Sequence, residues 1–276
     1  MGRPPMWFEP DNMALTLAQA AAVALPAAGL PLWTRRFRTG AWALVLPLSI
    51  VVVVVAIAAI PTTADVLTWV ALVLVPPGCA LALGWAARGA RPWPAVLAVP
   101  LLVVAWADQG TRAGQIATTL LILGSAVTLG RLLAGGAPLA LLKAGVIAMA
   151  TVDAYLVFSG QLEAPNAVLI AASPGLGLPR LQSASFGFAS LGYGDFFAAA
   201  VVGGILAAER GPQVAAAVAM VAVSIAWDQL FLVYDILPAT IPPAVVLVGI
   251  EVWKLWRARR GARRREPVRE PVPSVR

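Results

Sequence analysis

Histidine is absent from this chain of 276 residues, and cysteine occurs once. Without imidazole there is no Ser-His or Cys-His catalysis, no histidine metal centre and no H-E-x-x-H zinc chemistry. A single thiol, Cys79, excludes an intrachain disulfide and a C-x-x-C site. Its apolar neighbours predict a buried, inert side chain. Charge is scarce too: 12% of the residues are charged against 60% hydrophobic, with a mean hydropathy of +0.85. What remains for hard chemistry is carboxylates, hydroxyls and backbone, so neither a metal nor an organic cofactor is expected.

Repeated apolar runs near the ~20 residues needed to cross a bilayer predict an all-α, polytopic membrane protein. Nine spans are read, at 13–33, 41–60, 67–87, 93–107, 113–134, 138–160, 186–208, 212–234 and 238–256. The fourth is the shortest and carries Pro94 and Pro100. Trp33, Trp69, Trp85, Trp93, Trp106, Trp253 and Trp256 fall near span ends, as interfacial anchors do. The first run lacks the basic start and small-residue cleavage site of a signal peptide.

Charge asymmetry supports nine spans. One side receives Arg35, Arg36, Arg38, Arg88, Arg91, Arg131, Lys143, Arg210 and the basic tail from Arg257; the other receives only Arg3, Arg112 and Arg180. The basic side is expected to be cytoplasmic, which puts the N-terminus outside and the C-terminus inside. Arginine far outnumbers lysine and Ala and Val abound, which suggests a GC-rich genome and a bacterial plasma membrane. Three regions follow: a five-span bundle over 1–137, a four-span bundle over 138–257 and a basic, disordered cytoplasmic tail over 258–276. The tail reads as a topological anchor for anionic headgroups rather than as a nucleic-acid site.

Gly192-Tyr193-Gly194-Asp195 places a carboxyl inside an apolar segment, where it is costly and marks a functional site by default. Its partner is Asp153, in the preceding span. With span six ending near Gly160 and span seven starting at Phe186, the two acids lie roughly 10–14 Å below one surface. Asp195, Ala199 and Gly203 share a small-residue face on span seven; on span six Gly145 and Ala150 lie near the Asp153 face, interrupted by Met149. Gly192 and Gly194 predict a strained or partly unwound turn that exposes backbone to a substrate. Two carboxyls at ~3 Å would share one proton at neutral pH. The ionised one would activate a water, and the protonated one would hydrogen-bond the carbonyl under attack. The same acids would equally suit a structural role or an ion relay in a transporter.

An acid in span six, G-x-G-D in span seven and Pro238-Ala239 opening span nine resemble the presenilin and signal peptide peptidase family of intramembrane aspartyl proteases. The likeness covers roughly residues 138 to 256. It implies a presenilin-like fold, Asp153 and Asp195 as the catalytic dyad, and substrate binding at Gly192, Tyr193, Gly194, Pro238, Ala239 and Thr240. It also implies that the partners are single-span membrane proteins or remnant signal peptides in a lipid bilayer, with no nucleic acid. The predicted orientation resembles the signal peptide peptidase branch. Two positions depart from the family pattern: Val152 rather than Tyr precedes Asp153, and Thr240 stands where the family has Leu.

Other features complete the reading. The octet Asn166 to Ser173 is expected as a short strand that pairs with substrate, or else as an interfacial loop. Asp228 is expected to snorkel or bond locally, Asp235 to be interfacial and Glu251 to pair with Lys254. Tyr155 and Tyr193 flank the acids. A prepilin-type peptidase also uses a G-x-G-D acid, but it usually carries a Lys soon after, where this chain has Phe196-Phe197. The alternative from another class is an ion- or proton-coupled transporter.

Overall fold

Where water is absent, an apolar run satisfies its own backbone by becoming a helix. The computed structural model describes residues 10–28, 39–60, 62–234 and 236–263, and it is mostly helical. The elements are α1 Pro10–Ala24, α2 Val45–Ala59, α3 Thr63–Leu81, α4 Ala98–Ala107, α5 Arg112–Gly136, α6 Leu139–Phe158 and α7 Glu163–Ala171. They continue with strands β1 Ser183–Phe186 and β2 Ala189–Gly192, then α8 Tyr193–Ala208, α9 Gln213–Asp228 and α10 Ile241–Arg263. Short turns extend α2 back to Gly40, α3 on to Ala86, α4 back to Trp93 and α9 on to Leu232. Among the described residues five helices are long and apolar enough to cross a membrane: Gly40–Ala59, Thr63–Ala86, Arg112–Gly136, Leu139–Phe158 and Gln213–Leu232. Trp93–Ala107 and Tyr193–Ala208 are apolar but shorter. Such helices are those of an integral membrane protein.

The helices run up and down between two ends. At one end Arg112, which opens α5, meets Asp11 of α1 at 2.5 Å. There Asn12 also donates to Asp228 at the close of α9, at 2.8 Å. At the other end the segment after α1 bridges the segment after α3, Pro26 to Ala87. Lys143 of α6 and Lys254 of α10 share Glu209, each at 2.5 Å, and Glu251 completes the cluster. Glu251 does pair with Lys254, at 2.8 Å, whereas the partner of Asp228 is not local but Asn12 of α1, 216 residues away in the chain.

Helix α8 lies at the centre, buried along its whole length from Phe196 to Ala207. A helix that is apolar all round needs neighbours on every side, and small residues let them close in. A side chain at Gly203 would strike the Ala22 and Val23 carbonyls of α1. Gly130 of α5 packs against the Ala200 backbone, and Gly204 against Gly130. On the small face of span seven, Gly203 therefore serves α1, while Gly204 beside it serves α5. Gly145 of α6 likewise faces Ala43 and Leu46. Arg131, buried in α5, donates to the Trp85 carbonyl and lies 4.1 Å over that indole ring, closing the end of α3.

Four sequence expectations need correction. Span seven does not begin at Phe186: residues 183–192 form an antiparallel hairpin, with Phe186 opposite Ala189. Its two-residue loop has Gly187 at φ 56, the Gly-first pattern of a tight hairpin. The octet from Asn166 is neither strand nor loop but mostly helix α7, whose Pro165 sits in the first turn, where a proline is tolerated. Span one stops as a helix at Ala24, because residues 25–27 turn to pair with 86–88: Ala27 N–H donates to Ala86 and Arg88 N–H to Leu25. The tail is helical as far as Arg263 rather than disordered from 258. Arg257 over Trp253 at 4.1 Å and Arg260 over Trp256 at 3.5 Å hold that extension at i, i+4 spacing. Arg3, Trp33, Arg35, Arg36, Arg38, Asp235 and the chain from 264 onward lie outside the described residues.

Candidate aspartyl site

Asp195 is the third residue of α8, and its position follows from local chemistry. Gly192 precedes the helix as its cap, and the Asp195 carboxylate reaches back to accept the Gly192 N–H at 3.0 Å. An acid at this position answers one unpaired donor and the positive end of the helix dipole. The strained or unwound turn expected at Gly192 and Gly194 is not present. Neither glycine has a positive φ, and Gly194 belongs to the first turn of α8. What Gly194 supplies is room: it lines the cavity described below, with only the end of Met149 near the place of a side chain.

Asp153 projects from α6 a little over one turn before that helix ends at Phe158. It is buried, and its Oδ2 accepts the Thr240 hydroxyl at 2.5 Å. Thr240 directly precedes α10, where a Thr hydroxyl would ordinarily accept an N–H from the second or third helical residue. Those residues are Pro242 and Pro243, which have no N–H to give. The hydroxyl is thus released from capping and turned on the carboxylate. Thr240 is the residue that holds Asp153.

Both carboxylates line one cavity of about 180 Å³, together with Gly194, Thr240, Asn166 and Met149. Its remaining wall is apolar, made by Ile50, Val53, Val54 and Ile57 of α2 and by Leu162, Pro165 and Leu169 around α7. Helix α7 is held there by a small cluster of Ala172, Ile57 and Ala64 with Val168 and Leu169. The arrangement places two acids, one hydroxyl and one amide in a largely apolar pocket.

The other sequence candidates fall around the site rather than in it. Tyr193 turns to α5, its phenol 2.8 Å from the Ser125 hydroxyl. Tyr155 is 64% exposed and points away from the acids. Pro238 accepts the Ile241 N–H at 3.4 Å as α10 begins. Ala239 offers its carbonyl to Gln19 of α1 at 3.0 Å, and the same Gln19 amide donates to the Asp195 carbonyl at 3.3 Å. Gln19, 4% exposed, therefore ties the start of α8 to the segment before α10. Sequence reasoning missed it. The available signal was a long amide side chain within an otherwise apolar first run. Among the described residues no group of His, Cys, Asp and Glu is suited to hold a metal ion. Searches for relatives found no matching family model, no similar curated protein and no similar solved structure.

Proposed function

We propose that this chain is an intramembrane aspartyl endopeptidase, with Asp153 and Asp195 acting as one dyad. The observation that carries the reading is the shared cavity: two acids from different helices face one small, mostly apolar pocket. A carboxylate offers about four acceptor sites, so the donors from Thr240 on Asp153 and the Gly192 N–H on Asp195 leave capacity to share a proton and bind a water. The ionised acid would take a proton from that water as it attacks the peptide carbonyl. The protonated acid would donate to the oxygen as negative charge gathers on it. The pair would titrate as a unit.

Two further features fit a peptide substrate. The hairpin β1–β2 is a two-stranded sheet that runs directly into α8. A hairpin edge offers main-chain donors and acceptors to an extended segment, and a strand added there would enter beside Asp195. A transported ion would need a polar relay beyond the acids. From Phe196 to Ala207, α8 provides only buried apolar residues.

On this reading α1 to α6 and α8 to α10 are the nine spans of a presenilin-like fold, with the acids nearer the external side. Substrates are then single spans with a cytoplasmic N-terminus, such as remnant signal peptides. The test is cleavage of a model single-span peptide by the purified protein, with Asp153→Asn and Asp195→Asn beside it. Each variant is expected to lose roughly 10²–10⁴-fold in rate, the usual worth of a general acid or base. A wild type that cleaves nothing while its vesicles move protons would support the transporter instead.

A further inference from the structure

A second, larger cavity lies away from the acids. It measures about 820 Å³ and runs between the second half of α3, the α4 segment and α5. On α5 its wall is one helical face, Ala113, Ala117, Leu120, Gly124 and Val127. From Ala113 to Val127 that face extends roughly 21 Å at 1.5 Å per residue. Cys79 is the wall's thiol, and it is already satisfied by the Leu120 carbonyl at 3.7 Å. A trapped water needs two to four polar partners, and this wall does not supply them. Left empty, an open groove of this size would forfeit dispersion contacts along its wall. Hydrocarbon is therefore the fitting content.

One charge stands at the mouth. Arg88 is the only ionisable side chain of the lining apart from the Cys79 thiol, and it is exposed. Its guanidinium donates to the neutral amide of Gln213 at 2.5 Å, and it takes part in no ion pair among the described residues. The positive charge is held in place and left uncompensated. It also sits at the end that carries Lys143 and Lys254, which the charge map makes cytoplasmic, where bilayers present anionic headgroups. A chain in one leaflet reaches about 15 Å, half of a ~30 Å hydrocarbon core, and the cavity is long enough to take it.

We propose that this cavity binds an anionic phospholipid, with one acyl chain along α5 and the headgroup phosphate on Arg88. The site is independent of the aspartyl chemistry. The test is native mass spectrometry of the lipid-stripped protein after exposure to phosphatidylglycerol or phosphatidylcholine of matched chains. The wild type is expected to keep one lipid and to prefer the anionic one about fivefold, the worth of a single basic residue near the headgroups. Arg88→Gln should reduce that preference to about one, and Arg88→Lys should restore it. Leu101→Trp, which fills the cavity, should cut retention of both lipids. Equal retention of the two lipids by the wild type, no retained lipid, or an unchanged preference in Arg88→Gln would each overturn the site. If Leu101→Trp does not elute as a folded species, the exposed Arg88 pair of variants still decides.

Discussion

Between α2, α6, α7 and α8 lies a cavity of about 180 Å³ with two carboxylates; between α3, α4 and α5 lies one of about 820 Å³ with a single guanidinium. The larger space has an almost wholly apolar wall and its charge at the rim. The smaller one has its charges inside, each carboxylate already held by a donor from a helix start. The contrast teaches that volume shows where a molecule fits, while the placing of charge shows what is done to it. A rim charge orients an amphiphile. Enclosed acids with spare acceptor sites are suited to moving protons.

That contrast can be broken first at the small cavity. Asp153→Asn or Asp195→Asn should lower peptide cleavage by roughly 10²–10⁴-fold and leave the lipid content of the purified protein unchanged by mass spectrometry. Next in size is Thr240→Val. It removes a hydrogen bond to a charged acceptor, worth about 1.5–3 kcal/mol, so kcat should fall roughly ten- to a hundredfold while Thr240→Ser keeps most of it. Gln19→Leu removes the amide that bridges the Asp195 and Ala239 carbonyls. At about 1 kcal/mol per bond, a lowered Tm and a several-fold slower cleavage are expected, measured by thermal unfolding and single-turnover assay. The smallest effect belongs to the far end. Glu251→Gln breaks contacts to Lys143 and Lys254 on partly exposed side chains. It should cost at most about 1 kcal/mol, with cleavage unchanged.

Much of the helical frame was legible because apolar runs of membrane length have one main solution. Leu139–Phe158 and Gln213–Leu232 fall close to their expected limits. Asp153 and Asp195 stood out because acids are rare in such runs. The hairpin did not stand out. Ser183 to Gly192 is a run of small and apolar residues, and periodicity alone does not separate a short strand from the start of a helix. The same ambiguity makes the Asn166 octet read as a strand or an interfacial loop, although Pro165 fits a helical first turn. The roles of Gln19 and Thr240 rest on hydrogen bonds between segments far apart in the chain, from α1 to α8 and from α6 to the start of α10. The small-residue faces were visible, but their partners were not: a stripe shows that something packs closely, and the rest of the fold decides what.

The most direct measurement is a mutant cycle on cleavage. Wild type, Asp153→Asn, Asp195→Asn and the double variant would be compared in single-turnover rate on one single-span substrate. A dyad that works as a unit predicts that each single variant loses about as much as the double, since residues acting together are far from additive. Losses that simply add, or a single variant that cleaves like the wild type, would contradict it.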